Sequence, residues 1–157
     1  MKKVMLLCLS IILFNCTSSA QKKKNTKTFV VNKTESEWKT ELTELEYYVL
    51  REAGTELAFS SELNKNYKKG TYVCAACQTP LFKSEHKFDS GTGWPSFDRE
   101  IDGNVAYTKE GASAYYGMEE HCANCGGHLG HVFNDGPRET TGKRHCINGA
   151  ALDFIPE

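Results

Sequence analysis

The first thirty-three residues contain no aspartate or glutamate. Seven lysines stand there unopposed, so residues 34–157 carry 12 basic against 20 acidic side chains, and the overall charge of −1 conceals a folded part near −8. A body of that sign repels phosphate backbones, and no local basic patch offsets it, which excludes nucleic acid as a partner. Long apolar runs are missing as well: the run Val4 to Phe14 is too short to cross a bilayer as an ordinary helix. No internal repeat is visible beyond two cysteine pairs. Neither pair is accompanied by the His-x-Glu or Cys-x-Glu that supplies a zinc deaminase with its proton-shuttling carboxylate, which disfavours that chemistry. What remains, 157 residues with 39% hydrophobic and 25% charged side chains, fits one globular domain.

Met1-Lys2-Lys3 followed by Val4 to Phe14 has the basic start and short apolar centre of a secretory signal. Residues 1–20 therefore read as a leader, 21–33 as a flexible linker and 34–157 as the domain; the stretch 17–28, rich in Ser, Thr, Lys and Asn, has the composition of a tether. Two exits are open. Ser18 and Ala20 suit cleavage after Ala20, whereas Leu13-Phe14-Asn15-Cys16 resembles a bacterial lipoprotein box with Asn15 where a small residue is usual. The second route puts a lipid anchor on Cys16. Either exports the protein from the bacterial cytoplasm, as a periplasmic protein or a membrane-anchored lipoprotein.

Thr34-Glu35-Ser36-Glu37 and Thr43-Glu44-Leu45-Glu46 are both capping boxes. The first predicts a short helix with Trp38 and Leu42 on one face. The second predicts a helix from about Glu44 to Glu52 with Leu45, Tyr48 and Val49 inward, stopped by Gly54; Arg51 and Glu56 are expected at its solvated end. Beyond Thr55 the helical period is lost. Short aromatic and β-branched runs between turn residues predict strands at Gly70 to Cys74, Lys87 to Phe88, Asn104 to Lys109, Ser113 to Tyr116, His131 to Phe133, Lys143 to Asn148 and Ala151 to Phe154. The fold class is mainly β and antiparallel.

Cys74-Ala75-Ala76-Cys77 and Cys122-Ala123-Asn124-Cys125 have the two-residue gap that lets both sulfurs of a knuckle face one ion, and two knuckles complete a tetrahedral site. Such a site is closed and structural, with zinc the favoured ion. Iron, two disulfides and two redox dithiols are the alternatives. His121 is expected at the surface. Cys8 leaves with the leader and Cys16 leaves or is lipidated, so Cys146 is the one cysteine without another task. If extended, Arg144-His145-Cys146-Ile147-Asn148 places Arg144, Cys146 and Asn148 on one side. A guanidinium neighbour favours thiolate, the nucleophilic form.

Ser90-Gly91-Thr92-Gly93-Trp94-Pro95-Ser96-Phe97 is glycine-rich and then stiff, which suits the presentation of one large ring at a fixed angle. Together with the paired knuckles, His-Leu-Gly-His-Val-Phe-Asn-Asp-Gly-Pro and Arg-His-Cys-Ile-Asn, in that order, this stretch closely resembles the B-type methionine sulfoxide reductases, which reduce the R epimer of methionine sulfoxide. The resemblance runs from about Ser36 to Phe154. It implies a tent-like fold of two antiparallel sheets with short N-terminal helices and a structural four-cysteine zinc site at Cys74, Cys77, Cys122 and Cys125. It makes Cys146 the nucleophile, Trp94 the indole that packs on the substrate methyl, and His128, His131, Asp135, Arg144 and Asn148 polar residues of the pocket. Phe133, which shares a strand face with His131 and Asp135, is taken as a substrate contact.

In the implied chemistry the Cys146 thiolate attacks the sulfoxide sulfur while His131, directly or through a water, protonates the oxygen. Methionine departs and a cysteine sulfenic acid remains. Arg144 is assigned to thiolate activation and Asn148 to orienting the pocket. His128 would point away from His131 unless Gly130 permits a bulge. Many members of the family carry a resolving cysteine where this chain has Thr92, so an external thiol such as a thioredoxin-like protein is the expected reductant. His145 departs from a position often aromatic in the family, and its parity points it away from the thiol. The partners are proteins that contain methionine sulfoxide, and the protein is expected to be a monomer. A zinc-stapled binding module with a Trp94 ligand cage, or a disulfide oxidoreductase using the paired cysteines, would make Cys146 dispensable or the dithiols accessible, respectively.

Overall fold

The computed structural model describes residues 29–113 and 117–157; the leader, both processing points, the tether up to residue 28 and residues 114–116 of one expected strand lie outside them. No helix among the described residues is long and apolar enough to cross a membrane. Both capping boxes form. In each, the threonine hydroxyl accepts from the third helical N–H while that residue's glutamate reaches back to the threonine N–H, opening α1 (Glu35–Glu41) and α2 (Glu44–Glu52). Helix α2 ends at Glu52 as expected, but its left-handed cap falls on Ala53 and not on Gly54. Ala53 takes the left-handed conformation (φ 55), whereas Gly54 is needed because a Cβ there would collide with the Tyr48 ring. The buried stripe is also rotated from expectation: Val49 and Leu50 are inward, while Leu45 and Tyr48 are about half exposed.

Among the described residues nine strands form two antiparallel sheets, as the sequence class required. The smaller has the order β2 (Pro80–Lys83), β1 (Gly70–Cys74), β9 (Leu152–Pro156). The larger runs β3 (Lys87–Phe88), β4 (Ser96–Phe97), β8 (Arg144–Ile147), β7 (His128–Phe133), β6 (Gly117–Cys122), β5 (Val105–Ser113). Strands β2, β4 and β6 are additions to the sequence reading: β2 opens on proline, β4 has two residues, and β6 is too polar to show alternation. The sheets meet through aromatic rings. Phe82 of β2 stacks on Phe97 of β4 with centroids 4.4 Å apart, and Tyr72 of β1 meets Phe97 edge-on at 4.9 Å. Trp38, Val49 and Leu50 close the same core from the helices.

Strand parity then decides which side of the large sheet does chemistry. Phe97 pairs with His145 and Ser96 with Cys146. His145, fully buried and 5.7 Å from Phe82, shares the core side with Phe97, so Cys146 faces the other way.

Candidate active site

Cys146 sits in β8 between Ser96 of β4 and His131 of β7. Gly130 is required at this point because a Cβ would run into the Cys146 carbonyl oxygen. The register of β6 against β7 slips at the adjacent Leu129: Glu120 opposes Gly130, but His121 opposes His128. This is a bulge of one residue. It turns His128 back toward its neighbour, and the two imidazoles lie 5.4 Å apart. His128 is buried, with Nδ1 2.8 Å from Glu119.

His131, Phe133, Cys146 and Asn148 line a cavity of about 150 Å³ with Trp94, Thr55 and Gly130. That is the room of about five waters, enough for a methylsulfinyl head and little else. Trp94 forms one aromatic wall and donates Nε1–H to the Glu56 carbonyl at 3.2 Å. Above the thiol a run of hydroxyls descends from the Trp94 loop: Ser96 Oγ to Ser90 Oγ at 2.7 Å, Ser90 to Thr92 at 2.8 Å, and Thr92 Oγ1 to Cys146 Sγ at 3.9 Å. Nothing in the sequence singled out Ser90 or Ser96 as part of this chain.

Arg144, Asp135 and His128 stand outside the cavity lining. Both carboxylate oxygens of Asp135 accept from Arg144, at 2.8 Å each, and the guanidinium lies 4.3 Å from the Phe133 ring centroid. Arg144 is thus fixed by a bidentate fork. Burial pushes the Cys146 thiol above its ordinary value; Arg144 and the Thr92 hydroxyl pull it back only in part. Burial thus favours the thiol over the thiolate more than the arginine neighbour alone suggested. Burial, aided by His128 and opposed by Glu119, holds His131 below its ordinary value and so favours its neutral form.

Asn148 and Glu56 brace the floor. Asn148 donates Nδ2–H to the Leu129 carbonyl at 3.0 Å and accepts the Glu56 N–H on Oδ1 at 3.0 Å. Glu56 is buried, not the solvated residue expected: its carboxylate accepts from Gly149 N at 2.6 Å and Ala150 N at 2.8 Å. The signal missed was a lone acid just past a helix stop, whose partners lie more than ninety residues away. Arg51 likewise packs inward, over the Trp38 ring at 5.2 Å, and donates to the Cys125 carbonyl. His121 is buried near Phe29 and not at the surface.

The two knuckles converge. Cys74 and Cys77 lie at the β1–β2 turn, Cys122 and Cys125 at the β6–β7 turn, and all four sulfurs fall within 4.8 Å of one another. Cys74 and Cys125 are 3.7 Å apart, and Cys77 and Cys122 are 3.6 Å apart. These separations are far beyond a disulfide bond. They match the ~3.8 Å edge of a tetrahedron with metal–sulfur bonds of about 2.3 Å. Asn124 Nδ2 and Thr79 Oγ1 lie 3.9 and 3.1 Å from the Cys77 sulfur, so they can support a thiolate there. The four cysteines are positioned to hold one metal ion, which would tie the small sheet to the large one. Sulfurs drawn together in this way do not form two separate accessible dithiols.

A β domain with four cysteines positioned to hold one metal ion, and a half-buried thiol in a small aromatic-walled cavity, has the parts of a thiol-dependent enzyme. Residues 42–156 match the SelR domain, and the chain belongs to that family. It is similar to the peptide methionine sulfoxide reductase MsrB of Leptospira interrogans, 53% identical over 130 residues that make up 82% of this chain and 98% of the relative. The peptide methionine sulfoxide reductase MsrB of Methanosarcina barkeri is 52% identical over 128 residues, 81% of this chain and 89% of the relative. The mitochondrial methionine-R-sulfoxide reductase B3 of Mus musculus is 45% identical over 141 residues, 89% of this chain and 54% of the relative.

Proposed function

We propose that the protein reduces the R epimer of methionine sulfoxide in proteins to methionine, with Cys146 as the nucleophile. The observation that carries the reading is the placement of Cys146 and His131 in one cavity with Trp94 and Phe133. The relatives named above support it. The atoms balance with Cys146 entering as a thiol and His131 as a neutral imidazole. Cys146 attacks the electrophilic sulfoxide sulfur as its thiol proton passes by way of His131 to the sulfoxide oxygen; the protonated oxygen then transfers to the Cys146 sulfur as the bonds to the methionine sulfur break. Methionine leaves and Cys146 is a sulfenic acid. Arg144 stabilises negative charge on the sulfur at the moment of attack, and Asp135 positions Arg144. The aromatic walls take the methyl group. Asn148 holds the floor, and His128 holds His131 in place from the bulge.

The second half-reaction needs two external thiols, which return Cys146 to a thiol and release water and a disulfide. Among the described residues the other four free cysteines all belong to the metal cluster, and Thr92 occupies the place beside Cys146 that a resolving cysteine would need. A thioredoxin-like protein is the reductant that fits. Zinc fits the four-sulfur cluster by ligand type and spacing; its contribution is structural. The basic start and apolar run of residues 1–14 support export, with the protein lipidated on Cys16 or released after Ala20.

The test is reduction of R and S methionine sulfoxide peptides by the wild type and by Cys146→Ser. Epimer-selective activity that vanishes in the variant is expected; an inactive wild type or an active variant would refute the reading. Metal analysis of the purified protein should return one zinc per chain. Iron in its place would overturn that assignment alone.

A further inference from the structure

The Cys146 cavity has room for a side-chain head only, so the peptide that bears an oxidised methionine must lie across whatever rims it. One side of that rim is the segment Thr55–Ser60. Thr55 lines the cavity, and Glu56 is buried beneath and tied to Asn148 and the Gly149 turn. The next residues reverse the pattern: Leu57 is 81% exposed and Phe59 65% exposed. Phe59 is also held at φ 65, a left-handed conformation that a bulky aromatic residue rarely adopts. Two contacts impose it. Phe59 N donates to Gly93 O at 2.8 Å, and Ser60 closes the turn on the Leu57 carbonyl through its own N–H and hydroxyl. The Phe59 ring lies against Gly93, the residue before the Trp94 wall. Two large apolar side chains are therefore fixed outward, one at a conformational cost, on a platform continuous with the cavity. Strain at an exposed residue beside a binding site is a pointer to function, and an apolar pair in this position marks a contact surface.

We infer that Leu57 and Phe59 form a docking rim for the apolar residues flanking a methionine sulfoxide in an extended or unfolded polypeptide. The inference rests on the reading of Cys146 as a sulfoxide reductase. It assigns the rim to the substrate, because the platform continues the wall that receives the sulfoxide methyl and because apolar side chains flanking a methionine become available when oxidation unfolds its surroundings.

The test compares three R-sulfoxide substrates: an N-acetylated, amidated single residue, a heptapeptide with Leu and Phe beside the sulfoxide, and the same heptapeptide with Ser and Gln in those places. The proteins are the wild type and the double variant Leu57→Ser, Phe59→Asn; asparagine tolerates a positive φ, so the turn is kept. The wild type is expected to favour the apolar peptide over the polar one in kcat/KM, mainly through KM. In the variant, the ratio of apolar-peptide to single-residue kcat/KM should fall about tenfold, which corresponds to about 1.4 kcal/mol. Equal kcat/KM of the wild type on both peptides overturns the inference, as does an unchanged ratio in the variant. Single-turnover rates separate the other occupant: a normal peptide rate in single turnover with a raised KM for thioredoxin in steady state would give the rim to the reductant and also overturn it. Loss of activity on the single residue by the wild type would instead strike at the sulfoxide reductase reading itself.

Discussion

Replacing Glu56 by alanine should destabilise the protein more than any other change at an acidic side chain near the cavity. The carboxylate accepts the N–H groups of Gly149 and Ala150, at 2.6 and 2.8 Å, in a site where Glu56 is only 4% exposed. Each buried donor left without a partner costs about 1–3 kcal/mol. Gly149 is buried and Ala150 partly so; water can reach the second more readily than the first, and the expected loss is therefore about 3 kcal/mol. With a urea slope of about 1.5 kcal/mol/M, the midpoint falls by about 2 M. Glu56→Gln keeps one acceptor but turns an amide N–H toward a backbone N–H, so it should recover no more than about half. The assay is urea unfolding in constant excess zinc, with metal content checked in each variant so that a lost ion is not mistaken for a lost hydrogen bond. Because the Trp94 and Asn148 contacts use the Glu56 main chain, they survive in both variants, and the cavity should persist in whatever fraction is folded. An alanine variant within about 1 kcal/mol of the wild type, or a glutamine variant as stable as the wild type, would refute this account of the floor.

Three further outcomes follow from the same geometry. Thr92→Cys puts a second thiol about where the hydroxyl stands 3.9 Å from Cys146 Sγ, so intact mass after one turnover should show loss of two hydrogens with zinc retained; persistence of the sulfenic acid would show that the Trp94 loop holds the two sulfurs apart. Alkylation of Cys146 should rise through a midpoint above the ordinary thiol value, because burial disfavours the thiolate. Arg144 lowers that midpoint, so Arg144→Met must raise it further, and an unchanged or lower midpoint would remove Arg144 from the sulfur's electrostatics. Stripping the metal with a chelator should unfold the protein at temperatures the loaded form survives, since the four sulfurs join turns of different sheets; coincident melting curves would count against a structural ion.

The parts of the molecule legible in the sequence are those whose partners lie close by or whose chemistry has a fixed spacing. Both capping boxes close within four residues, and α2 spans the predicted Glu44–Glu52. The four cysteines converge as their two-residue gaps required. The face of Cys146 followed from alternation alone, which set it opposite His145. What could not be read was decided by long-range pairing. Strand β6 carries Glu119, Glu120 and His121 in place of an alternating apolar pattern, and its polar residues are explained only by partners elsewhere in the chain: Glu120 is hydrogen-bonded to the His145 ring at 2.6 Å, twenty-five residues on.

His128 shows how the two kinds of information combine. Alternation from His131 sends His128 to the opposite face, and that holds for any unbroken strand. The extra residue at Leu129 reverses it, and the sequence offered only Gly130 as a hint. The glycine's role turns out to be different from the one that hint suggested. It admits the Cys146 carbonyl at a distance no side chain would allow, drawing β7 against the nucleophile's strand, while the neighbouring slip turns His128 back toward His131. A bulge beside Gly130 therefore serves two ends, bringing the thiol's strand close and giving His131 a fixed neighbour. A Gly130→Ala variant, which adds one carbon at that contact, must push the strands apart and disturb Cys146 and both histidines together.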